Sequence, residues 1–146
     1  MRDLPRQLTV DELAELFEGR TRLVELLAER KDPLGSAEKV LGELTEQEQR
    51  QALNAHPAIG ARSGLSARSA AEQGAGADPV ILTELAYLNQ VYEEKFGFRF
   101  VVFVDGRPKT EILEVLRSRL ERTREEELET ALRELVAIAR DRWENP

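Results

Sequence analysis

His56 is the only histidine of this 146-residue chain, and it stands in Asn54-Ala-His-Pro-Ala-Ile-Gly60. Histidine is the side chain whose unperturbed pKa lies closest to neutrality, which makes it the first group to weigh as a general acid or base. Pro57 fixes the backbone directly after it, and a rigid mount suits a catalytic side chain. A structural role is open as well, because an imidazole at a helix C-terminus complements the dipole. Further on, Ser69-Ala-Ala-Glu72-Gln73 carries Glu72, the one acid between residues 49 and 77. If Glu72 faces His56 across a pocket, the two form an acid/base pair. Ser-x-x-Glu is equally a capping box, and spacing alone leaves both readings standing. Arg62, Arg68 and Arg142 are candidate anion clamps, since a guanidinium holds a carboxylate or ureido carbonyl with a planar donor fork. The alternative for each is an ordinary surface arginine. Residues 49–77 hold Arg50, Arg62 and Arg68 against that single acid, in a chain of net charge −7. This local positive balance points to a small anionic ligand.

The bulk composition narrows the chemistry further. No cysteine is present, which excludes thiolate nucleophiles, zinc ribbons, iron–sulfur clusters and disulfide scaffolds. One histidine excludes a His-rich metal site within the chain; a carboxylate-only Mg²⁺ or Ca²⁺ site stays open in principle, but no Asp-rich loop has EF-hand spacing, and no metal is expected. The acidic balance disfavours nucleic acid. No apolar run reaches membrane-spanning length, and the opening MRDLPRQLTVDEL lacks the apolar core of a secretory signal. The expectation is a cytoplasmic chain whose residues 1–146 form one domain.

The elements that must position these residues read as helices. Thr9-Val-Asp-Glu12, Thr45-Glu-Gln-Glu48 and Thr123-Arg-Glu-Glu126 are capping boxes, each predicting a helix start. Behind the first, Leu13, Leu16 and Phe17 give a helical stripe. A second helical run spans Leu23 to Arg30 and stops at Lys31-Asp32-Pro33, and a short helix follows from Ser36 to near Gly42. The helix opened at Thr45 must end near Asn54–Ala55, because Pro57 disfavours helical backbone at His56. Asp78-Pro79 reads as N-cap and first residue of a long helix carrying Leu82, Leu85, Ala86, Leu88, Asn89 and Tyr92. It runs to Phe96, with Gly97 as its C-terminal cap. Phe98 to Val104 is β-like, closes at Asp105-Gly106, and has no partner strand in sight. Thr110 to Leu120 is helical. The last helix runs to about Trp143 on a stripe of Leu128, Leu132, Leu135, Ile138 and Ala139, and the charges at Glu121–Glu129 read as a solvated face. The predicted fold is all-α, with about six to eight helices and one extended segment near residues 98–104.

Three motifs in order now carry a resemblance. His56-Pro-Ala-Ile-Gly60, then Ser69-Ala-Ala-Glu72-Gln73-Gly74-Ala-Gly76, then Leu88-Asn89-x-x-Tyr92-x-x-Lys95-Phe-Gly-Phe98-x-Phe100-Val101 resemble the family of 2-oxo-4-hydroxy-4-carboxy-5-ureidoimidazoline (OHCU) decarboxylases. The likeness runs from about residue 45 to the C-terminus. It implies an all-α, cofactor-free homodimer that turns a small anionic ureidoimidazoline into (S)-allantoin, the last step from urate. It places the catalytic pair on His56 and Glu72. It places substrate binding on Pro57, Ser69, Gln73, Phe98, Phe100, Val101, Val102 and Arg142, with Arg140 the rival for the last. The unpartnered run at 98–102 would then read the ligand's amides through its own backbone. The sequence departs from the family pattern at Arg99, commonly a proline, in a short loop between His56 and Ser69, and in the first forty residues. Two other readings fit the same residues: the same pocket acting on another ureido or purine-derived acid, and a non-catalytic helical interaction module. The last predicts that His56, Glu72 and Arg142 lie apart on the surface.

Overall fold

Three threonines begin helices as their sequence signature requires. At Thr9 the hydroxyl accepts from the Glu12 N–H and the Glu12 carboxylate accepts from the Thr9 N–H, both at 3.1 Å. The same reciprocal pair forms at Thr45 with Glu48 and at Thr123 with Glu126. Each box satisfies donors that a helix N-terminus otherwise leaves unpaired. The computed structural model describes residues 7–59 and 78–145. Among them the chain forms seven helices and no strand, in line with the all-α expectation. They are α1 (Val10–Phe17), α2 (Arg22–Leu27), α3 (Pro33–Glu43), α4 (Glu46–Asn54), α5 (Pro79–Phe96), α6 (Lys109–Arg119) and α7 (Arg124–Glu144). None of these helices is long and apolar enough to cross a membrane.

Two boundaries differ from the sequence expectation. α3 begins at Pro33 rather than Ser36, because Asp32 caps it by accepting from the Gly35 N–H at 3.1 Å. Asp32-Pro33 repeats the N-cap and N1 signature of Asp78-Pro79, where Asp78 accepts from Val80 at 2.8 Å. It is a start signal where a stop was expected. A Cβ on Gly35 would fall 2.2 Å from the Asp32 carboxylate, so a side chain there would make the carboxylate turn from its present cap geometry. α2 ends at Leu27 rather than Arg30. Beyond it the chain tightens into three-residue turns, Glu29 N–H to Leu26 at 3.2 Å and Arg30 N–H to Leu27 at 3.0 Å.

Helix α7 organises the packing, with α1, α3 and α4 against it, while α2 packs on α1, α3 and α4, and α5 pairs with α6. Its buried face differs from the expected stripe. Glu127, Ala131, Leu135, Val136, Ile138, Ala139, Arg142 and Trp143 are buried, while Leu128 and Leu132 lie half-buried at the edge. Glu127 is therefore a correction to the solvated charge run. It sits fully inside because Arg119 (2.7 Å), Arg122 (3.0 Å) and the Tyr92 hydroxyl (2.5 Å) all donate to it. A buried carboxylate is tolerated when paired and hydrogen-bonded in this way.

The run from Phe98 to Val104 is extended and unpaired by any strand among the described residues, as expected. Backbone groups taken from water need partners, and side chains supply them. Arg119 donates to the Val101 carbonyl at 2.8 Å, and Arg107 donates to those of Phe103 (2.6 Å) and Val104 (3.1 Å). Asn54 accepts from the Arg99 N–H at 2.9 Å. Phe98 and Phe100 press on the Tyr92 ring, with centroids 5.9 and 5.2 Å away. Asp105 and Gly106 then turn the chain at φ 50° and 73°. Two positive φ values are what a type I′ turn demands and what Asp-Gly supplies.

Candidate active site

α4 ends at Asn54, but its last carbonyls still shape the next residues. The His56 N–H reaches the Leu53 carbonyl at 3.2 Å, and Pro57 then prevents another helical turn. The corner is held from two sides. Asn89 of α5 donates its amide to the Ile59 carbonyl at 3.0 Å and to its own helix at Leu85. Arg99 donates Nη1 to the His56 carbonyl at 2.5 Å. The imidazole is thereby fixed in the interior, 5% exposed, with a buried Nε2 that has no hydrogen-bond partner among the described residues. A buried polar atom without a partner is uncommon and marks a place where a ligand group could bind.

That imidazole borders a cavity of about 170 Å³. His56, Pro57 and Ile59 form one wall, the run from Phe100 through the Asp105-Gly106 turn forms another, and Ile138, Asp141 and Arg142 close it from α7. The α7 residues lie at i, i+3 and i+4, the spacing that puts side chains on one helix face. Arg142 is 2% exposed, so it is no surface arginine. Its Nη1 donates to the Leu16 carbonyl at 3.2 Å and the Glu15 carbonyl at 3.4 Å, and its Nη2 pairs with Glu18 at 3.0 Å. The guanidinium thus occupies the C-terminal end of α1, where carbonyls and dipole favour a cation. Glu18 reaches it from a left-handed backbone conformation at φ 64°. Arg140 points elsewhere. It donates to the Leu34 carbonyl at 2.9 Å and pairs with Glu38 at 3.2 Å on α3.

Burial and the Arg142 charge hold the His56 imidazole down at about 4, with Glu18 opposing and Arg99 adding to the depression. The ring is therefore neutral at pH 7 and can accept a proton or hydrogen bond. A neutral acceptor beside a cation suits an anionic ligand with a hydroxyl to polarise.

Of the residues singled out in the sequence, the fold brings His56, Pro57, Phe100, Val101, Val102 and Arg142 to this one cavity. Phe98 is not on its wall. It stacks on Phe96 at 6.1 Å and under the Arg124 guanidinium instead. Ser69, Glu72, Gln73, Arg62 and Arg68 lie outside the described residues. The shared cavity runs against the interaction-module reading, which requires His56 and Arg142 to be apart. Sequence reasoning assigned no site role to Ile59, Phe103, Val104, Asp105, Gly106 and Asp141 on the walls, or to Glu18 and Asn54 behind them. Asn89 did leave a signal, as an amide in an otherwise apolar helical stripe. Asp141 left one too, in its one-face spacing from Ile138. Arg99 stood out in the sequence only as a departure from the family pattern, and nothing there tied it to His56, 43 positions away.

Comparison with known proteins identifies the family. The OHCU decarboxylase family profile matches residues 2–144. The OHCU decarboxylase of Halalkalicoccus jeotgali is 35% identical over 104 residues, 68% of this chain and 59% of that protein. That of Haloferax volcanii is 35% identical over 114 residues, 74% of this chain and 67% of that protein. The uric acid degradation bifunctional protein PucL of Bacillus subtilis is 30% identical across 97% of this chain and 31% of its own length. The chain thus spans about a third to two thirds of the length of these relatives. A crystal structure of OHCU decarboxylase in the presence of (S)-allantoin superposes with a TM-score of 0.74 at 26% identity, covering 90% of this chain and 94% of that one. The fold, the order of the motifs and the match across nearly all of the sequence converge: this chain belongs to the OHCU decarboxylase family.

Proposed function

We propose that the cavity between His56 and Arg142 binds OHCU and decarboxylates it to (S)-allantoin without a cofactor. The observation that carries this reading is the neutral, buried His56, its Nε2 unpartnered among the described residues, on a cavity that a buried arginine also lines. The substrate supplies its own electron sink. Its carboxylate sits on a ring carbon that also bears a hydroxyl and adjoins a C=N bond. Breaking the carbon–carboxylate bond releases CO₂, and the electron pair moves toward the C=N, whose nitrogen takes a proton. The resulting enol then becomes a ketone as its hydroxyl loses a proton, while the neighbouring carbon gains one.

His56 suits the hydroxyl, because a neutral imidazole accepts its hydrogen bond and then its proton. Arg142 suits the substrate's anionic or carbonyl edge. Backbone groups at Phe100 and Val102 suit the ureido and ring amides, since side chains already engage the carbonyl of Val101 and the N–H of Arg99. Glu72, Ser69 and Gln73 take the remaining roles that the family resemblance assigns, with Glu72 orienting His56 or the ureido group. Protonation from one face yields the single enantiomer, and holding one conformer beside one donor accounts for rate and stereochemistry together.

The test generates OHCU in the cuvette from urate with a urate oxidase and a hydroxyisourate hydrolase, then follows circular dichroism for (S)-allantoin. Wild-type protein should give a fast optically active signal, lost in His56→Ala and Arg142→Ala and kept in Arg140→Ala. Near wild-type turnover by folded His56→Ala would sink the mechanism. We further take a second copy of the chain as the partner. The N-terminal half of α5 exposes Val80 (70%) and Tyr87 (64%) beside Pro79 and Thr83, an apolar face of the kind a dimer buries.

A further inference from the structure

We propose that Arg99 is a positioning residue for His56, locking the imidazole corner to the extended run that forms the facing wall of the cavity. Three bonds make the lock. The guanidinium Nη1 donates to the His56 carbonyl at 2.5 Å, the Arg99 N–H donates to the Asn54 side chain at 2.9 Å, and Nε pairs with Glu93 of α5 at 3.2 Å. Asn54 and His56 flank the end of α4, so one residue of the run grips that end at two points. Glu93 orients the guanidinium from the third side. Charge-assisted bonds of this kind are shorter and stronger than neutral ones. Because Arg99 immediately precedes Phe100, which lines the cavity, the clamp sets the spacing between the imidazole and the backbone opposite it. A misplacement of about 1 Å in such a constellation can cost on the order of a hundredfold in rate.

Arg99 also contributes to the field at the ring. Among the described residues, the charged groups around His56 are Arg142 and Asp141 from α7, Glu18 from the end of α1, and Arg99 with Asp105 from the extended run and its turn. Asn54 and Asn89, from α4 and α5, are neutral. Arg99 is one of two cations that disfavour an imidazolium, so its removal raises the His56 titration.

This role rests on the decarboxylase reading for its kinetic arm only. A single histidine gives one pair of imidazole resonances, so NMR titration reads the position and field of His56 without any substrate. In Arg99→Met the titration midpoint should rise from about 4 toward the ordinary histidine value, and kcat should fall about ten- to a hundredfold with KM little changed. Arg99→Lys should keep the low midpoint, because the charge remains, yet lose turnover, because a single ammonium cannot replace the fork. If Arg99→Met does not fold, Glu93→Gln decides. It loosens the guanidinium, and it should shift the imidazole resonances and lower kcat. A folded Arg99→Met with an unchanged midpoint and unchanged kcat overturns the proposal and leaves the decarboxylase reading intact. If the wild type makes no (S)-allantoin, imidazole resonances displaced in Arg99→Lys at an unchanged midpoint still support the positioning, and the activity reading falls.

Discussion

A histidine that is neutral inside the fold and titrates normally in the unfolded chain ties stability to pH. The folded chain keeps His56 unprotonated down to about pH 4, whereas an unfolded histidine takes up its proton near pH 6.5. Between those values the unfolded state binds more protons, so stability falls as the pH drops through the window. The full effect is about 3 kcal/mol, complete only below pH 4. Urea denaturation at pH 7 and pH 4.5 should show it. Carboxylates such as Glu46 and Glu126, also depressed, lose stability in the same direction, so the difference between wild type and His56→Gln isolates the imidazole. The variant should lose less stability on acidification than wild type. Equal losses would mean that the ring is already protonated, or hydrated, in the native state. Arg142 shows the opposite economy. Its charge is retained because the end of α1 and Glu18 replace the water it gave up.

At the scale of elements, α7 does two jobs from one face. Near its C-terminus Ile138, Asp141 and Arg142 reach the cavity. Near its N-terminus Glu127 gathers Arg119, Arg122 and Tyr92. Burial is the first cause that pushes the Tyr92 phenol far above its usual range, so it remains a donor to Glu127 at any ordinary pH. Arg119 links the two ends, since it also holds the Val101 carbonyl in the cavity wall. Glu127→Ala would strand Arg119 in the interior and should cost about 3–5 kcal/mol, the range for breaking a buried ion pair. Leu128→Ala, half-buried beside it, should cost about 1 kcal/mol. Urea midpoints for the two variants check the order. A larger loss at Leu128 would place the core face where the leucine stripe alone predicted it.

For the molecule as a whole, the apolar face of α5 is separate from the cavity, whose walls come from other segments. Assembly and chemistry should then be separable. Sedimentation velocity is expected to show a dimer at micromolar concentration, shifted to monomer by Tyr87→Lys or Val80→Lys, with turnover per chain largely kept. A wild-type protein that sediments as a monomer at every concentration would remove the dimer. Such a shift would place the contact on α5, since an unpaired lysine is costly at the dry centre of an interface.

The sequence by itself determined whatever closes within a few residues. Three capping boxes, the Asp78-Pro79 start, the Gly97 stop and the proline corner at His56 are short-range steric and hydrogen-bond facts, and the structure repeats them. The same locality explains the error at α3, where Asp32-Pro33 carries a signal that serves equally to end one helix and begin another. Only the tertiary structure decided which arginine faces the cavity. Arg140 and Arg142 differ by two positions, which turns them to different sides of α7, and the partners that fix each lie more than a hundred residues away in α1 and α3. Glu127 needed the fold for the same reason. Its burial depends on cations brought in from α6 and the turn before α7, and on a phenol from α5. Long-range charge pairing has no period in a sequence, and it is long-range pairing that placed His56 and Arg142 on one cavity.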